Sequence, residues 1–142
     1  MNAYEKLIAN YESEDIRISE MEFKAKSNGY CQGKDVVIRN SLDTSTKRCV
    51  LAEELGHYHM TTGEIYEQST ITHIKEEKKG RQWAYEKLIP FLCLLDIVKT
   101  GYEYLYEVAE HFEVTEEFML EAIEYYMTKY GEKFYETCRQ SS

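Results

Sequence analysis

Proline, glycine and tryptophan are scarce in this chain: one proline, seven glycines and one tryptophan in 142 residues. No Pro/Gly-rich linker, low-complexity tract or internal repeat divides it, so the length suits one domain, 1–142, burying about two-thirds of its unfolded surface. Long apolar runs are also missing. The longest, residues 88–95, contains Pro90 and falls well short of the roughly 20 residues that span a bilayer. The N-terminal Met-Asn-Ala-Tyr-Glu-Lys lacks the apolar core of a signal peptide. Cys31, Cys49, Cys93 and Cys138 form no C-x-x-C pair and read as reduced thiols. A soluble, cytoplasmic protein is expected. Basic residues are in deficit, 17 against 26 acidic, for a net charge of −9. That balance argues against nonspecific nucleic-acid or anionic-membrane binding, which both need lysine and arginine to neutralise phosphates.

What is present reads as α+β. Tyr4, Leu7, Ile8 and Tyr11 recur at helical spacing and predict a helix over about 2–12. Ile16-Arg-Ile18 alternates, and residues 30–40 carry Val36-Val-Ile38 beyond turn signals at Asn28-Gly29 and Gly33, predicting a small antiparallel sheet of two or three strands. Asp43-Thr-Ser-Thr offers several N-caps for a helix running to about Met60. Residues 61–74 are polar, with a short strand expected at 69–74. A helix over 75–89 should stop at Pro90, which starts the next one, ending near Gly101. Residues 102–112 and 115–130 predict a helical pair appended to the domain, for five to six helices in all. In the last, Phe118, Met119, Ala122, Ile123, Tyr126, Met127 and Tyr130 form one apolar stripe.

The chemistry concentrates in residues 51–59, Leu-Ala-Glu-Glu-Leu-Gly-His-Tyr-His. This is one substitution from the H-E-x-x-H zinc-hydrolase helix, with Glu53 standing where the first histidine would be. Residues four apart lie one helical turn apart on the same face, so Glu53 and His57 could share an ion. Glu54 lies about 100° around from Glu53, where it could take a proton from water held by the metal. A third ligand commonly comes from a glutamate on the following helix. Glu77 is preferred there because it shares a stripe with Gly80, Arg81, Ala84 and Leu88, with Glu76 as the alternative. Ala52 and Gly56 would leave room for an ion and a second helix.

Ile38-Arg-Asn, a spacer, Leu51-Ala-Glu-Glu-Leu-Gly-His, then Glu77 and Trp83-Ala-Tyr-Glu-Lys-Leu-Ile-Pro90 together resemble the ImmA/IrrE family of metallopeptidases. The family's usual form is A-H-E-L-G-H followed by a glutamate-bearing helix ending F-A-x-x-L-L-x-P. The resemblance covers roughly residues 30–90 and implies a zincin-like helical core. It implies zinc on His57 and Glu77 with Glu53 in place of a histidine, and Glu54 as the catalytic glutamate. For a member of the phage or mobile-element type, it implies a helix-turn-helix repressor as protein substrate. The substitution has a consequence. Two histidines and one carboxylate leave zinc at net +1, whereas Glu53, His57 and Glu77 leave it neutral, so bound water is acidified less. The oxygen-rich set also admits manganese or iron.

Plainer readings stand beside these. Glu53-Glu54 could be a solvated helix face, His57 a hydrogen-bonded core histidine, and Glu77 an exposed carboxylate. His59 lies on the other side of the helix from His57 and is expected to be exposed or hydrogen-bonded, and Cys49 to be a small buried thiol. Trp83, Tyr85, Tyr102, Tyr104 and Tyr106 read as packing residues. Residues 108–118 have helix-turn-helix spacing, but the second helix opens Thr-Glu-Glu, where a recognition helix needs arginine or lysine. Direct nucleic-acid binding is not expected. The functional expectation is a zinc-dependent endopeptidase acting along an edge strand at residues 34–39. The alternative is a noncatalytic antirepressor using the same scaffold to bind its partner.

Overall fold

A computed structural model describes residues 1–12, 14–60, 70–134 and 136, and the side chains of 70–76 lie outside that description. The order is α1 (Ala3–Glu12), β1 (Arg17–Met21), β2 (Gly29–Gln32), β3 (Asp35–Arg39), α2 (Thr44–Met60), α3 (Thr70–Leu88), α4 (Phe91–Lys99), α5 (Leu105–Phe112) and α6 (Glu116–Tyr130). The class is α+β, as expected. Contacts divide the chain into two compact units, Met1–Ala84 and Tyr85–Ser142.

In the first unit the sheet is mixed, not antiparallel throughout. Its order is β1-β3-β2, with β3 antiparallel to β2 and parallel to β1. Gly33, at φ 60°, makes the tight turn from β2 into β3. β1 docks on the far side of β3, so residues 22–28 must loop around the end of that strand. Arg39 pins this loop. Its guanidinium donates to the carbonyls of Phe23 (3.0 Å), Ala25 and Ser27 (2.8 Å), pairs with Glu22 (3.3 Å) and lies over the Phe23 ring. Residues 34–39 therefore form no edge, because β3 is paired on both sides.

Val36 and Ile38 are fully buried beneath α2, whose Leu51, Ala52 and Leu55 are equally sealed. Gly29 is needed where α2 meets the sheet: a methyl there would lie 2.7 Å from Val50 Cγ1 and 2.9 Å from the Val37 carbonyl. Asp43 is the cap that starts α2, accepting from the Thr46 amide at 2.8 Å. Residues 70–74 are helical, extending α3 a turn earlier than expected, while Ser69 lies outside the described residues.

The second unit is helical. Pro90 precedes α4, and Thr115 caps α6 by accepting from the Phe118 amide at 3.0 Å. Phe118, Met119, Ala122 and Tyr126 of the α6 stripe are buried, and the Tyr126 hydroxyl donates to the Ile89 carbonyl at 2.7 Å. Tyr85 packs as expected, on Phe118. Tyr102, Tyr104 and Tyr106 pack only at the surface: all three are exposed, with Tyr104 stacked on Tyr106 and Tyr102 against His111, while Ala109 and Phe112 are the buried residues of α5.

Candidate metal centre and active site

One turn of α2 carries the expected chemistry. Helical spacing sets Glu54 beside His57, the carboxylate Oε2 3.5 Å from Nδ1, with both side chains largely covered. This contact is the chief reason the imidazole holds its proton above the usual histidine range. Burial opposes it, and the charges of Glu77 and Glu53 add to it. On the other side of the ring Nε2 is buried and has no hydrogen-bond partner among the described residues. A carboxylate on one nitrogen and an unfilled position at the other is the usual arrangement of a metal-ligating histidine.

The ring rests on α3 at a glycine contact. A methyl on Gly56 would overlap the carbonyl oxygen of Gly80, so the two helix backbones touch. A methyl on Gly80 would overlap His57 Cδ2 and lie 2.9 Å from Nε2. The small residues do what close helix approach requires.

The remaining expected ligands are placed differently. Glu53 is half-buried on the same turn. Glu77 is exposed, 3.9 Å from Arg81 one turn along α3. The Glu76 side chain and the His73 side chain lie outside the described residues. Among the described residues, no three histidine, cysteine or acidic side chains are gathered as a metal-holding group. The fit to a cation thus rests on the orphaned Nε2 of His57 and on Glu53 one turn away on α2, while Glu77 on α3 faces Arg81.

Other nearby residues have different roles. His59 is not exposed. It stacks on Trp83 at 5.1 Å, meets Tyr11 and Tyr58 edge-on, and lies 3.7 Å from Glu14. Cys49 is buried, and Cys31, Cys49 and Cys93 form no disulfide; Cys138 lies outside the described residues. Sequence reasoning missed Cys31 on β2. Burial pushes its thiol up to about 11, with the Glu54 charge contributing next, so it borders the site as an unreactive thiol. Only the pairing of β2 with β3 brings it there, and no local pattern announced it.

A family model described as the IrrE N-terminal-like domain matches residues 11–124. The chain belongs to the ImmA/IrrE family. Neither a curated protein nor a solved structure matches it significantly. The match covers the sheet, α2 and α3, so the Glu54–His57 turn lies inside the shared domain, which is of the zincin-like metallopeptidase type. Among the described residues of this family member, no helix is long and apolar enough to cross a membrane.

Proposed function

We propose that this ImmA/IrrE protein is a cytoplasmic, metal-dependent endopeptidase acting on a helix-turn-helix repressor of the phage or mobile-element kind. The observation that carries the reading is His57 Nε2, covered yet unmatched, on a ring whose other nitrogen is held by Glu54. His57 would be one ligand, with Glu53 and Glu77 as the carboxylates, and zinc the expected ion, manganese or iron being tolerated. A bound cation of this kind polarises the scissile carbonyl and makes water a stronger acid.

The chain's own residues do the rest. Glu54 fixes the imidazole and, through its second oxygen, keeps acceptor capacity for a proton from the attacking water, later returning it to the leaving amine. Glu77 would hold the ion in place of its exposed pair with Arg81, a pair worth at most about 1 kcal/mol. The partner's class is supported by charge: residues 85–142 carry 12 of the 26 acidic residues but only five of the 17 basic ones, which suits a basic DNA-binding protein.

Glu54→Gln tests the reading. With zinc supplied, the wild type should cleave its cognate helix-turn-helix repressor, to be identified by binding, and the variant should lose at least about 100-fold in rate while still binding it. A wild type that binds the repressor without cutting it, whatever metal is added, overturns the enzymatic reading in favour of a noncatalytic antirepressor.

A further inference from the structure

Glycine inside a helix is unfavourable relative to alanine, yet α2 and α3 each place one at their crossing. The two are not equivalent. A side chain at Gly56 would strike backbone, the carbonyl oxygen and Cα of Gly80, so the helices themselves would have to part. A side chain at Gly80 would strike chiefly the imidazole of His57, at Cδ2 and Nε2, with the His57 amide nitrogen next at 3.1 Å. Gly56 therefore sets the distance between the helices, and the space kept open at Gly80 is filled by the ring.

We propose that Gly80 is a positioning residue: by carrying no side chain it seats the His57 imidazole against α3 and so fixes the direction in which Nε2 is held. The ring is then fixed from two sides, by Glu54 at Nδ1 and by the α3 backbone at Cδ2. The functional half of this inference rests on His57 being a metal ligand. The seat itself does not.

A double-mutant cycle separates the two. Gly80→Ala should lower Tm by about 4 °C or more when His57 is present. In the His57→Ala background the seat is empty, and the same substitution should change Tm by less than half as much or raise it. An equal shift in both backgrounds overturns the proposal. Zinc affinity by calorimetry, measured well below Tm, gives a readout that a merely structural glycine would not move. Gly80→Ala should weaken zinc binding by about tenfold or more, whereas unchanged affinity in a zinc-binding wild type overturns the positioning role. A wild type that binds no zinc removes the metal reading of His57, and coupling in the cycle still upholds the seat while additivity still overturns it.

Discussion

His57 is gripped at one nitrogen and left unmatched at the other, and this asymmetry sets its acid–base behaviour. Because Glu54 favours the imidazolium, protons compete for the ring from a higher pH than at an ordinary histidine. A metal needs the neutral ring, so zinc affinity should decline on acidification beginning above the usual histidine range. Glu54→Gln should move the midpoint of that decline downward, as zinc titrations from pH 8 to 5 would reveal; an unmoved midpoint would contradict the coupling. The sequence singled out both residues but joined His57 to Glu53 instead; the Glu54 contact comes from the same helical rule, since residues three apart also share a face. The placing of Glu77 was not legible. Its contact with Arg81 is equally local, one turn along α3, and spacing alone does not say which of two nearby charges a long flexible side chain will join.

At the scale of elements, the loop joining β1 to β2 is tied down chiefly by one guanidinium. Arg39 collects the carbonyls of a loop that has no ladder of its own, and its side chain is only 19% exposed. Arg39→Ala should therefore cost about 2–4 kcal/mol, several lost charge-assisted hydrogen bonds being only partly replaced by water. Urea denaturation would measure it, with loss of amide protection concentrated in β1 and residues 22–28; a change under about 0.5 kcal/mol would show the loop to be self-supporting. The alternation of Ile16 and Ile18 and the run Val36–Ile38 identified the strands. Strand order was not legible, since pairing partners lie apart in the chain and one pattern serves a central or an outer strand. Residues 70–74, with Thr70, Ile71, Thr72 and Ile74, illustrate the converse: β-branched residues suggested a strand, and the helix they adjoin absorbed them. The start of α2 was legible because capping is decided within three residues, though the sequence offered several caps there and the structure uses Asp43.

For the molecule as a whole, charge is the governing quantity. The net −9 is concentrated beyond residue 84, where acidic residues outnumber basic ones 12 to five, and α6 opens with Glu116 and Glu117. The α5–α6 pair has the spacing of a DNA-reading motif with the wrong sign of charge. No retardation of duplex DNA is expected in a gel shift even at low salt, where phosphate contacts are strongest; a shifted band there would overturn this. The geometry of the sheet also limits what can lie beside the site. With β3 enclosed, β2 is the outer strand next to α2. The Arg39 amide bonds to the Asn28 carbonyl, so by antiparallel alternation Tyr30 and Gln32 also face inward, leaving Gly29 and Cys31 to present main-chain groups outward. A guest polypeptide would thus find just two rungs to hold, too short a ladder to dictate its own alignment, and its register would fall to the shapes of its side chains.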